Sequence, residues 1–480
     1  MSTGIVWFRQ DLRLADNPAL RAACKECSEV ICLFIDDPLA QTVSQLGEAS
    51  RVWLHHSLDA LDLELKKRGN QLHLMQGDSA QVLKQLINES GAERLYWNRC
   101  YDPQTIERDK RIKVQFATLQ PSTFNAMLIF EPWQNIKADG TPYRVYTPFW
   151  RAAESLLNSS LDYLITSTAP RQIAPLSRSR QSKLKGLKSL DELALLPERD
   201  WHQTMMSHWK VGESAASRQL GRFIKNYVTR YDSARDQPAS NGTSRLSASL
   251  HFGEISPRQI LSRLLKKHSL SELESGELVF AKEIIWREFA YSLLFHFPHT
   301  IDQPLDRRFI RFPWAKNTDA PLRAWQLGQT GVPIVDAGMR ELYATGWMHN
   351  RVRMIVASYL IKNLLIPWQM GEQWFRHTLV DADLASNVMG WQWSAGSGAD
   401  AAPFFRVFNP VLQGEKFDKQ GSYVRQWVPE IASVPDKFIH KPWELSTSER
   451  SQLDYPEPLV DLKVSRVRAL EAFATIKGTN

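Results

Sequence analysis

Cysteine is scarce: Cys24, Cys27, Cys32 and Cys100 are the only four in 480 residues. That count fits a reducing compartment better than a disulfide-bonded one. Cys24 and Cys27 form a C-x-x-C, but no second pair or histidine cluster completes a metal site, so these thiols read as buried and structural and no metal is expected. Long apolar runs are missing too. Nothing approaches the roughly 18 residues of a membrane span, and Met1-Ser2-Thr3-Gly4 runs into Ile5-Val6-Trp7-Phe8 without a basic leader. The expectation is a cytoplasmic monomer without a membrane partner. A G-x-G-x-x-G is also lacking. After the first apolar segment stands Trp7-Phe8-Arg9-Gln10-Asp11-Leu12-Arg13, which excludes an ordinary dinucleotide fingerprint.

What is present suits a globular protein of two domains, since 480 residues exceed one ordinary core. Hydrophobic residues make up 43% and charged ones 23%, and the net charge of +7 is compatible with a polyanionic partner. Seventeen tryptophans are unusual; tryptophan buries well, but this many invites a role in stacking or electron transfer.

Residues 1 to about 135 alternate short apolar strands, at 5–9, 30–35, 71–76, 94–98 and 126–131, with amphipathic helices such as 48–68, where Leu54, Leu58, Leu61 and Leu65 share a face. This predicts a doubly wound, Rossmann-like parallel sheet. Residues 136–205 read as an inter-domain linker, with Ser, Arg and Lys concentrated in a solvated stretch at 177–188. From 206 to 480 helical spacing dominates, at 279–297, 333–345, 347–363 and 371–379. The predicted fold is therefore an α/β domain joined by a long linker to an all-α domain.

Several segments bear chemistry. Gly242-Thr243-Ser244-Arg245-Leu246-Ser247 offers hydroxyls and main-chain N–H groups before a helix-like run, a seat for phosphate or an ordinary helix cap. Glu283, Trp286 and Arg287 fall at i, i+3 and i+4 on one helix face, and could equally be a Glu–Arg pair beside a core tryptophan. Asn350 and Met354 repeat that spacing, an amide and a thioether able to read and pack on a base. Asp381, Asp383 and Asn387 precede Trp391-Gln392-Trp393, and a buried Asp381 would need a cation such as Arg353.

In combination these segments resemble the photolyase/cryptochrome family over nearly the whole chain. The matching stretches are Val6 to Leu14, Gly242 to Leu250, Ile285-Trp286-Arg287-Glu288-Phe289, Gly346-Trp347-Met348-His349-Asn350-Arg351, and Gly390 to Pro410. The resemblance, which extends to bacterial enzymes acting on cyclobutane pyrimidine dimers, implies a helical domain holding FAD. Tyr231, Thr243, Ser244, Arg245, Leu246 and Ser247 would contact its phosphates and ribityl chain. Arg353 and Asp381 would pair beside the flavin ring, Asp383 would hold the ring or adenine edge, and Phe280 and Arg287 would complete the pocket. Asn387 would sit at flavin N5, where an amide favours the reduced form that repair needs.

By the same resemblance, Glu283 and Asn350 would hydrogen-bond the dimer bases and Met354 would pack beside them. Trp286 and Trp393 would form the aromatic wedge for a flipped-out dimer. Arg235, Arg351 and Arg406 would bind flanking phosphates of UV-damaged DNA, and Trp391, Trp368 and Trp314 would relay electrons from the surface. The implied chemistry is blue-light-driven electron transfer from FADH⁻ that splits the dimer. Asn350 and Met354 stand where enzymes of the family acting on (6-4) photoproducts place two histidines. The chain departs from the family pattern at Phe280, where bacterial relatives often have Trp, and at Ser386-Asn387-Val388-Met389-Gly390, where Asn-Gly-Gly is usual. Asn98 to Thr105 also lacks the Asn-Glu pair of some folate-binding members. The antenna expected is 5,10-methenyltetrahydrofolate, with 8-hydroxy-5-deazaflavin or an empty site as alternatives. The competing function is a cryptochrome-type blue-light receptor without repair activity.

Overall fold

The computed structural model describes residues 2–37, 46–266, 269–400 and 405–477. Residues 401–404 of the matching stretch 390–410 lie outside them. Two compact units form, one from Met1–Val228 with Ser244–Pro298 and the other from Thr229–Thr243 with His299–Asn480.

The first unit is built on a parallel sheet in the order β3-β2-β1-β4-β5, with β1 Thr3–Phe8, β2 Glu29–Asp36, β3 Leu72–Gln76, β4 Arg94–Asn98 and β5 Ser122–Phe124. β1 is buried at all six positions, as a central strand covered on both faces requires. Ile5, Trp7, Ile31 and Leu33 from the sheet pack with Leu83 and Leu86 of helix Ser79–Ser90 and Ile112 of helix Pro103–Gln115. These helices begin at Asp78 and Asp102, whose carboxylates accept from the third residue on.

The segment after β1 is structural. Arg13 is fully buried and donates to the carbonyls of Asp16, Ala126 and Gly253, while Arg9 pairs with Asp109 at 2.8 Å. Gly253 has φ +66, and a Cβ there would lie 2.1 Å from the Gln10 carbonyl oxygen, so only glycine allows this approach.

Residues 126–131 are not the fifth strand. β5 lies upstream, pairing Ser122, Thr123 and Phe124 with Tyr96, Trp97 and Asn98. The apolar run is buried, but its main chain is satisfied by side chains. Met127 and Leu128 N–H donate to Asn125, and Ile129 and Phe130 N–H donate to the Glu288 carboxylate. Such a run signals burial without fixing an extended ladder. The stretch 177–188 is largely exposed yet pinned: Arg180 reaches Thr3 and Glu29, and Lys188 N–H donates to Leu74. Cys32 and Cys100 are buried, whereas Cys24 and Cys27 are only half-buried, and all four are free thiols.

In the second unit, helices Pro333–Thr345, Asn350–Ser358, Trp368–Thr378 and Leu384–Ala395 pack around one apolar core. The helix expected at 347–363 starts later, at Asn350, because the His349 side chain caps it by accepting from Arg351 N–H. It then runs into a single π-turn, Tyr359–Asn363, a distortion frequent at functional sites. The long helix Ser275–His296, which its pattern groups with the later helices, is compact with the first unit instead.

Candidate functional site

In the first unit, helix Ser275–His296 carries four of the singled-out residues. Phe280 is buried against Phe223, with ring centroids 4.7 Å apart. Glu283, Trp286 and Arg287 are half-buried one turn further on. Arg287 donates to the Met127 carbonyl at 2.8 Å and lies over the Tyr291 ring. Trp286 stacks on Tyr146, centroids 3.6 Å apart and planes 9° off parallel. The 244–247 turn also belongs here. Arg245 has φ +52 and lies over Trp209, Ser244 accepts from Gln219, and Leu246 is buried. A left-handed residue of this kind is rare outside glycine and clusters where backbone N–H groups serve a ligand.

In the second unit, Arg353 and Asp381 are paired at 2.8 Å, and Arg353 Nε donates to the Met348 carbonyl. Asp381 is nearly inaccessible, so the guanidinium supplies the countercharge that burial requires. Asp383 caps helix Leu384–Ala395 by accepting from Ser386 N–H. That helix runs unbroken through 386–390, so the lack of Asn-Gly-Gly leaves its first turns regular.

Asn387 is oriented by its neighbour. Its amide nitrogen donates to Glu372 Oε1 at 2.9 Å and to the Glu372 carbonyl at 3.2 Å. With both donors committed to Glu372, the amide oxygen is left as acceptor for something else. Glu372 is held in turn by Arg376, one turn along helix Trp368–Thr378. Burial pushes the Glu372 carboxyl up, and Arg376 and Asn387 pull it back.

Helix Asn350–Ser358 packs against helix Leu384–Ala395. Met354 and Trp393, from these two helices, line one cavity with Ser358, Lys362, Arg406 and Phe408. Lys362, in the π-turn, is buried and donates to the Ala395 carbonyl at 2.8 Å, the C-terminal end of the helix bearing Trp391 and Trp393. A cation at that end complements the helix dipole, although burial drives the ammonium pKa well down. Arg406 is exposed. Asn350 is exposed at the start of its helix. Arg351 pairs with Asp236 at 2.8 Å and lies over Phe417, so a phosphate there would compete with a carboxylate. Arg235 lies over the Tyr231 ring, at 5.4 Å, and Thr243 is half-buried.

Trp391 and Trp368 are buried in the same core, and half-buried Trp314 packs at its margin beside Phe312. Burial thus decreases from Trp391 and Trp368 to Trp314. Phe375 and Trp325 edge onto Trp391, at 4.9 and 6.1 Å. Gly371 admits this indole: a Cβ there would lie 2.1 Å from it. Glu372, Lys362, Asp236 and Tyr146 went unnoticed in the sequence. Only the Glu372–Arg376 spacing was readable there, since the other contacts join distant segments. Among the described residues no cluster of three or more His, Cys, Asp or Glu could hold a metal, and no helix is long and apolar enough to cross a membrane.

The site residues fit a flavin. In the second unit, the Arg353–Asp381 pair and the Asn387 oxygen supply a charge and an acceptor of the kinds such a group needs.

Residues 4–172 match the family model described as DNA photolyase, and residues 280–475 match that described as the FAD binding domain of DNA photolyase. A deoxyribodipyrimidine photo-lyase of Agrobacterium fabrum is 45% identical, covering 99% of this chain and 98% of its own. Cryptochrome-2 of Arabidopsis thaliana is 36% identical, over 96% of this chain and 77% of its own. The crystal structure of a bacterial class III photolyase from Agrobacterium tumefaciens superposes with a TM-score of 0.92 at 44% identity, covering 100% of this chain and 98% of that one.

Proposed function

The chain belongs to the DNA photolyase family, and on that premise we propose that it repairs DNA in blue light by splitting cyclobutane pyrimidine dimers. The observation that carries this reading is the convergence of Met354, Trp393 and Arg406, from separate segments, around one small cavity, residue types that suit a base, a stacking surface and a phosphate. Bound reduced FAD would supply the chemistry, an electron lent to the dimer on excitation and regained once both cyclobutane bonds have opened.

The protein's part is to bind and orient. In the second unit, Arg353, Asp381, Asp383, Tyr231 and Thr243 would hold the flavin, and the Asn387 amide oxygen, turned by Glu372, would accept a hydrogen bond from a ring N–H. Ser244, Arg245, Leu246, Ser247, Phe280 and Arg287 are the first unit's candidate cofactor contacts. Asn350 and Met354 would meet the dimer and Trp393 would stack on it, while Glu283 and Trp286 are the first unit's dimer contacts. Arg235, Arg351 and Arg406 would take the flanking phosphates. Trp391, Trp368 and Trp314 would return electrons to an oxidised flavin. No proton transfer is needed to begin, so the absence of an acid at Asn350 and Met354 favours a cyclobutane dimer over a lesion that must be protonated.

Residues 1–135 are proposed as an antenna domain, 136–205 as its connection and 206–480 as the catalytic region. The antenna would be 5,10-methenyltetrahydrofolate, or else 8-hydroxy-5-deazaflavin. Two measurements test the assignment. The purified chain should show flavin absorption, and in the dark it should bind a dimer-bearing oligonucleotide more tightly than an undamaged one, with affinity falling as salt rises. Equal affinity for both would count for a receptor without repair activity.

A further inference from the structure

Tyr146 opens helix Tyr146–Ser159 in the stretch that reads as a connection, and it covers one face of Trp286. The rings overlap almost completely, 3.6 Å apart and 9° from parallel, closer to a true sandwich than aromatic pairs usually prefer. Something must impose that geometry, and the surroundings do. The Tyr146 hydroxyl donates to the Lys282 carbonyl at 2.6 Å, one turn before Trp286 on its helix. Phe289 closes on both rings from the side, at 5.9 Å from Tyr146 and 5.7 Å from Trp286, and is backed by Phe149 at 5.1 Å.

Tyr146 is buried while Trp286 is half-buried. The tyrosine takes one indole face and leaves the rest of the ring to meet something else. A stacking surface for an extruded base is useful only if its plane is fixed before the base arrives, because ordering it on binding would consume affinity. We propose that Tyr146 is a positioning residue for lesion recognition: it fixes the plane of Trp286, so that helix Tyr146–Ser159 takes part in the DNA-binding apparatus. This rests on the reading of Trp286 as a dimer contact.

The test is a double-mutant cycle in the dark, comparing affinity for an oligonucleotide with one cyclobutane thymine dimer against its undamaged twin. Tyr146→Leu should cut the preference for the dimer about fivefold, the scale of one aromatic pair. Tyr146→Phe, which keeps the ring and its packing against Phe289 but loses the hydroxyl anchor, should lose about twofold, less than the leucine variant. In a Trp286→Ala background, Tyr146→Leu should have no further effect, a result that a general loss of structure would not give. Thermal unfolding and flavin absorbance establish that each variant is folded, and Tyr146→Met replaces the leucine variant if that one is not. An unchanged preference in the folded Tyr146 variant, or an equal loss in both backgrounds, overturns the inference. A parent protein with no preference for the dimer refutes the functional reading instead, so the two failures are distinguishable.

Discussion

At the scale of single residues, orientation is decided by partners that share no sequence spacing. Asn387 was legible as a singular amide before Trp391, but Glu372, which turns it, lies fifteen residues away on another helix. Replacing Glu372 with Leu removes the buried carboxylate that Arg376 and the Asn387 amide share. A loss of about 3 kcal/mol in unfolding free energy is expected, measurable by urea titration. Asn387→Asp leaves an acceptor-only group facing Glu372, and like charges at that distance repel. The bound flavin of that variant is expected to reoxidise in air faster than the parent's, followed by its absorbance.

At the scale of elements, helices were easier to read than their ends. The spacing at 333–345 coincides with helix Pro333–Thr345, because Pro sits in its first turn and Gly346 closes it in a left-handed conformation. The 126–131 run misled because hydrophobicity reports burial and says nothing about which acceptors the main chain finds. Those acceptors include Glu288, and its titration is testable. Burial raises this carboxyl to about 7 against an ordinary 4.5, with Arg287 and the N–H groups of Phe130 and Ile129 opposing the rise. Since the folded value is the higher, the stabilising contribution is complete below 4.5 and is lost as pH rises through about 7. Glu288→Gln retains an acceptor for those N–H groups without the charge, so its stability should vary less than the parent's between those values, as thermal midpoints across the range would register. Gly371 makes an element-scale case of another kind. Glycine inside a helix costs about 1 kcal/mol relative to alanine, yet Trp391 occupies the space a methyl would take. Gly371→Ala should therefore destabilise by about 1–3 kcal/mol despite its better helix propensity, and a thermal melt would detect it.

At the scale of the whole molecule, the α/β and all-α halves could be anticipated because strand and helix periods differ along the chain. Which segments converge could not, since convergence is set by packing between elements with no local signature. Met354, Trp393 and Arg406 each look ordinary in the sequence, and only the fold gathers them around one cavity with the buried Lys362 side chain. Tyr146 illustrates the same limit from the other side, a residue in an apparent connection that stacks on a residue of the candidate site.

The central claim is light-driven dimer splitting, and one anaerobic experiment addresses it directly. The purified chain, its flavin fully reduced, is mixed with an oligonucleotide carrying a single thymine dimer and given blue light, with a dark control. Recovery of intact thymines only in the illuminated sample is the result expected. An unaltered dimer after illumination, with reduced flavin bound throughout, would contradict the account.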